Sequence, residues 1–141
     1  MSVSKRAYFT KKLTDEACRD DTPIRKFWRH EVTPKVGCDR DTMEFPNDIL
    51  TQANNILESI DRVFKKANLS IGRTYSMNVW VRNMRNKKDI SNCIRKYFIS
   101  DPKSPRTTDG PDELFGVIFR YADFEDERVH IMMDATEYNG R

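Results

Sequence analysis

The sequence predicts an α+β fold in which a single mixed sheet carries two main helices on one of its faces. Three observations predict it. Residues 47–68 repeat apolar side chains at three- and four-residue intervals, from Ile49 and Leu50 through Ala53, Ile56, Leu57, Ile60, Val63 and Phe64 to Ala67, which is the period of a helix with one buried face. "RTYSMNVWVRN" then alternates Tyr75, Met77, Val79 and Val81 with polar or bulky neighbours, the period of a half-buried strand. Ile90, Cys93, Ile94, Tyr97 and Phe98 return to helical spacing directly afterwards.

Taken in order, residues 1–46 offer two strand candidates, "KRAYFTKKL" and "PIRKFWRHEV", separated by the polar "TDEACRDDT". Pro34, Gly37 and Pro46 then mark a loop-like run. The readable core, 47–138, runs helix, strand, helix, strand, strand. Asn47 supplies a capping oxygen to the first helix, Lys65 and Lys66 suit the negative end of its dipole, and "NLSIG" stops it. Asp89 or Ser91 is available to cap the second helix. "SDPKSPRTTDGPD" is a loop by its chemistry, rich in prolines and in side chains that bond their own backbone. "ELFGVIFRYADF" and "RVHIMMDATEY" follow as strands, with Asp126 and its acidic neighbours expected to turn a hairpin between them. Only the strand–helix–strand unit needs a crossover connection.

One domain spanning 1–141 is the expectation, because 141 residues are too few for two ordinary cores. Hydrophobic residues at 38% and charged residues at 33% lie within the globular range. The formal charge of +3 does not by itself establish a nucleic-acid partner. Its distribution says more. Arg82, Arg85, Lys87, Lys88, Arg95 and Lys96 face Asp89 alone, whereas the segment 109–134 holds Asp109, Asp112, Glu113, Asp123, Glu125, Asp126, Glu127 and Asp134. Such blocks either neutralise each other in the fold or build a mixed site. Cys18, Cys38 and Cys93 are odd in number and widely spaced, which disfavours a disulfide framework and a zinc finger and fits a reducing, cytoplasmic setting. No run approaches the roughly 18 apolar residues of a membrane helix, and no signal-peptide core opens the chain.

Asp89 has two readings. As an N-cap it accepts a backbone hydrogen bond; as a metal ligand it needs further carboxylates nearby, since Mg²⁺ is hard and oxygen-seeking, and cations to hold a phosphate. Asp112 and Glu113, after a long loop, are the acidic candidates, and Arg95 is placed to reach a phosphate. His30 and His130 lack a nearby Cys or Ser to pair with and read as structural. Phe27 and Trp28, flanked by Arg25, Lys26 and Arg29, fit either base stacking or an ordinary surface strand.

The run "RNMRNKK", the motif "DISN" and the acids of "PDEL" together resemble the RusA-like Holliday junction resolvases of phages and prophages, over residues 53–137. The resemblance implies a RusA-like fold, a homodimer and Mg²⁺-dependent cleavage of branched DNA in a bacterial cytoplasm. Asp89 falls on the family's first motif aspartate and Asn92 on its asparagine. Arg95, with Lys96 beside it, takes the place of a lysine, and Asp112 and Glu113 fall on the late acidic pair. On this reading Asp89, Asp112 and Glu113 hold the metal and Arg95 steadies the phosphate, while Arg82, Arg85, Lys87, Lys88 and Lys96 bind DNA. The chain departs at Ser91, where the family has its second catalytic aspartate; a neutral hydroxyl is a poor ligand for a hard cation. The alternative expectation is therefore an inactive scaffold that binds DNA or a protein partner without cleaving.

Overall fold

The computed structural model describes residues 6–21, 24–26, 29–71, 74, 76–99 and 116–138. In chain order the elements are β1 (Ala7–Phe9), α1 (Lys11–Ala17), β2 (Arg25–Lys26), β3 (Arg29–Val36), α2 (Ile49–Lys66), β4 (Met77–Val81), α3 (Lys87–Ile99), β5 (Val117–Phe124) and β6 (Ile131–Tyr138). The strands form one six-stranded mixed sheet in the order β1-β5-β4-β6-β3-β2.

The pattern that predicted α2 also positions it. Ala53, Ile56, Leu57, Ile60 and Phe64 are fully buried, packed with Met77, Val79 and Val81 of β4 and Ile131, Met133 and Ala135 of β6. α3 joins them through Ile90, Cys93 and Ile94. Each such large side chain removed from water contributes about 1.5–3 kcal/mol before chain entropy is set against it. The cap of α2 is Asp48 rather than Asn47: its side chain accepts from the Thr51 backbone N–H at 2.9 Å. The helix stops where expected, with Asn68 in the left-handed region at φ 61° and the Leu69 N–H returning to the Phe64 carbonyl.

β4, α3 and β5 form the expected parallel crossover, with Val79 beside Phe119 and Trp80 beside Arg120; β3, α2 and β4 form a second one that was not expected, since β3 and β4 both run antiparallel to β6 between them. β5 and β6 do not make the expected hairpin. β4 lies between them, pairing β5 in parallel and β6 antiparallel. The acidic segment bridges the end of β4: the Val129 N–H bonds the Asp126 carbonyl, and the Asp126 carboxylate holds the Arg128 backbone N–H and guanidinium.

Two N-terminal features were not foreseen. Residues 11–17, read as the end of a strand candidate and the start of a polar separator, form α1, capped by Thr10. β3 continues through Pro34, at a bulge where Thr33 and Pro34, between Val32 and Lys35, stand opposite the single Asp134 between Ala135 and Met133 on β6. Proline has no N–H to give a ladder, so a bulge accommodates it.

Strand alternation puts a second core on the opposite face. Val36, Trp80, Ala122, Phe124 and Met132 pack there beneath Ala17 and Cys18 of the α1 segment. α1 covers only part of that face. The remainder, around Asn78, Ile118, Arg120, Asp134 and Thr136, contributes no residue to either buried cluster.

Candidate functional site

The residues singled out in the sequence do not assemble into one site among the described residues. α3 starts at Lys87, so Asp89 lies within its first turn rather than at the cap; it is exposed and suits the helix dipole there. Ser91 is buried on the inward side of the same helix. Arg95 bonds the Asn92 side chain at 3.0 Å. Asp112 and Glu113 lie outside the described residues, as do Phe27, Trp28 and Tyr75. No group of three or more His, Cys, Asp or Glu among the described residues is arranged to hold a metal ion.

The basic run is partly turned inward. Arg82 directs its guanidinium to the carbonyls of Val129, Phe124 and Asp126 and lies over the Phe124 ring at 5.0 Å. Lys87 sits over the Phe119 ring at 5.5 Å. Arg85, Lys88 and Lys96 are exposed. Arg85 contributes to a cleft of about 340 Å³ at the ends of α2 and α3, which also takes in Arg82, Asn86 and His130. Burial and the nearby Arg82 hold the His130 imidazole below its ordinary pKa.

The uncovered sheet face holds a polar network on three neighbouring strands. Asp134 of β6 accepts from the Asn78 backbone N–H at 2.7 Å and from Asn78 Nδ2 at 3.2 and 3.1 Å. Asn78 Oδ1 in turn accepts from Arg120 Nε at 2.7 Å. The two contacts fix which end of the Asn78 amide is which. The terminal nitrogens of Arg120 have no partner among the described residues, and the side chain is exposed. Burial pushes the Asp134 carboxyl above its ordinary pKa and Glu31 pushes it further, while Asn78 and Arg120 pull it back without cancelling the rise. The result is a carboxyl group that holds its proton more tightly than an exposed one, one amide away from an arginine fork with open donors.

None of these three residues was a sequence candidate. The signal was present: Asp134 is a carboxylate inside the otherwise apolar "HIMMDA", and Asn78 is the polar beat of "MNVWV". A buried polar group is the informative exception in an apolar run.

No protein-family model matches the chain, and no curated protein sequence does. Solved structures do. TdcF of Escherichia coli with bound serine superposes at a TM-score of 0.66, with 15% identity, over 86% of this chain and 96% of that one. The yjgF gene product of E. coli gives a TM-score of 0.68 at 14% identity, covering 88% of this chain and 98% of that chain. RidA of an Antarctic Psychrobacter gives 0.58 at 14% identity, covering 86% and 96%. These likenesses overturn the resemblance to RusA resolvases and with it the reading as a DNA-recombination endonuclease. The "DISN" and "PDEL" matches are short, and helix N-termini and loops are rich in such residues for structural reasons. The chain has the α+β fold of the RidA and YjgF structures.

Proposed function

We propose that the chain is a RidA-like protein acting on a small amino-acid-derived compound at the uncovered sheet face, with hydrolysis of a 2-imino acid as its reaction. The observation that carries this reading is the pairing of Arg120's open donors with the desolvated Asp134 through Asn78. An arginine fork suits a carboxylate, and a desolvated carboxyl group suits the N–H of a basic nitrogen. The serine in the TdcF structure carries both groups, which supports a ligand of that class. In the reaction, water adds to the C=N carbon and Asp134 carries the proton it sheds to the nitrogen. The remaining hydroxyl proton then passes to the nitrogen by the same route as the C–N bond breaks, releasing ammonia and leaving the 2-keto acid.

The working assembly proposed is a homotrimer rather than the dimer expected from the sequence, with a second copy closing the open face against Ile118, which is 48% exposed in the single chain. No helix among the described residues is long and apolar enough to cross a membrane.

The test is to generate 2-imino acids in situ with an amino-acid oxidase and follow keto-acid release, alongside calorimetric titration with serine. Arg120→Ala is expected to cost about 2 kcal/mol of carboxylate binding, roughly thirtyfold in affinity. Keto-acid release no faster than without the protein, together with no detectable serine binding, refutes the assignment.

A further inference from the structure

A second chemical feature lies away from the uncovered face, where the end of α1 meets the segment after β3. Cys18 caps α1 and Cys38 follows β3 by two residues; both are buried and neither is in a disulfide. The Cys38 thiol donates to the Cys18 carbonyl oxygen at 3.9 Å, which sets the two cysteines side by side. Arg40 closes the arrangement. Its NH1 nitrogen is 3.1 Å from Cys38 Sγ, and the same guanidinium is anchored by Asp20 at 3.1 Å, Ser59 at 3.1 Å and the Cys38 carbonyl at 2.7 Å. Cys38 and Arg40 border a surface cleft of about 290 Å³, and because Cys38 itself is fully buried an oxidant reaches the sulfur only when this edge opens locally.

We infer that Cys38 and Cys18 form a peroxide-responsive thiol pair, with Cys38 the attacking sulfur, Cys18 the resolving one and Arg40 the cation that steadies the attacking thiolate. The chemistry balances with hydrogen peroxide as oxidant. The Cys38 thiolate attacks one peroxide oxygen and the O–O bond breaks, giving a sulfenic acid and hydroxide. The Cys18 thiol then attacks the Cys38 sulfur, forming the S–S bond and releasing water. Each sulfur loses one electron overall, and peroxide takes up two.

The electrostatics agree with this division of roles. The hydrogen bond from Cys18, and then the positive charge of Arg40, lower the Cys38 thiol against the opposing effect of burial, whereas Cys18 is raised. Cys93, on α3, is a built-in control: it is buried, has no thiol neighbour among the described residues, and is raised by burial. A Cys18–Cys38 bond would tie α1 to the end of β3, and α1 is the element that covers part of the second sheet face.

The experiment treats the folded, full-length protein with graded hydrogen peroxide, quenches by alkylation, and maps linkages by non-reducing peptide mass spectrometry. The expected result is a Cys18–Cys38 linked peptide with Cys93 still a free thiol, and a higher melting temperature for the oxidised form. In Cys18→Ser the reaction should stop at a Cys38 sulfenic acid that dimedone traps. Arg40→Gln should slow linkage about tenfold at neutral pH by lowering the thiolate fraction; wild-type protein assayed across pH gives the same information if that variant does not fold. A folded protein that forms no Cys18–Cys38 linkage, or oxidises Cys93 as readily, overturns the proposal. So does a linkage rate indifferent to both Arg40 and pH.

Discussion

Asp20 offers the sharpest test of how this fold is held together. Its carboxylate, only 17% exposed, accepts from Arg40 Nε at 3.1 Å, from Arg62 at 3.1 and 2.9 Å, and from the Ser59 hydroxyl. It thereby ties the segment after α1 to α2 and to the loop beyond β3. Replacing it by Asn keeps the volume and one acceptor oxygen but removes the charge. The Arg40 side chain, 14% exposed, is left with a buried positive charge, and breaking such a pair costs about 3–5 kcal/mol. Arg62 is half-exposed and adds at most about 1 kcal/mol. The retained hydrogen bond offsets part of this, so Asp20→Asn should lose roughly 3 kcal/mol, or about 10 °C in melting temperature for a chain of this size. Burial alone would raise the Asp20 pKa, but the bonds from Ser59, Arg62 and Arg40 outweigh it and hold it below its ordinary 3.8. A depressed carboxylate contributes stability above the unfolded value and loses it as pH falls through the folded one. Urea unfolding of both proteins should therefore show the full gap near neutral pH and a closing gap below about pH 4. A difference under about 0.5 kcal/mol at neutral pH, or one that does not narrow on acidification, refutes the reasoning.

Gly37→Ala should destabilise the fold by about 3 kcal/mol, because an added Cβ would meet Gln52 Cβ at 2.4 Å and the Gln52 backbone at 2.5 Å. Backbone on α2 cannot step aside cheaply; an unchanged denaturation midpoint would show that the strand end shifts instead. Asp134→Asn tests the opposite pH sign from Asp20. Its raised pKa means the folded state binds the extra proton, so wild-type stability should fall as pH rises from about 4 through the folded value, and the variant should lack that fall. Parallel pH profiles of the two proteins would count against a desolvated Asp134.

Periodicity was legible where one face alone is buried. α2 alternates buried and exposed positions and β4 fully and partly buried ones, so their residues could be assigned before the fold was known. β6 could be recognised as a strand but not placed, because Ile131, Met132 and Met133 are all buried, two against the helices and one beneath α1. A run buried on both faces says nothing about its neighbours, and adjacency in sequence suggested a hairpin with β5. What decides otherwise is the parallel crossover through α3, which sets β5 on one side of β4 and leaves the other side for β6. α1 was missed because its seven residues bury only Thr14 and Ala17, too few to establish a period.

The misread site has the same origin. A charge run in sequence is read as a sum, but each side chain acts in its own direction. Arg82 and Lys87, counted toward a phosphate-binding surface, are drawn into backbone carbonyls and onto an aromatic ring, and a guanidinium with its donors so engaged has less to offer a ligand. Arg120 was not counted at all, being a lone cation in a strand, yet its terminal donors have no partner among the described residues. The carboxylates divide in the same way. Asp89 stands in solvent at a helix start, where its charge is well accommodated and water competes for any partner. Asp134 is pressed between strands, with one amide to satisfy it and Glu31 nearby, so its proton is held more tightly and its chemistry is the stronger for it. Residue type proposes the chemistry; the desolvation and the spare valences that decide it are properties of the sheet.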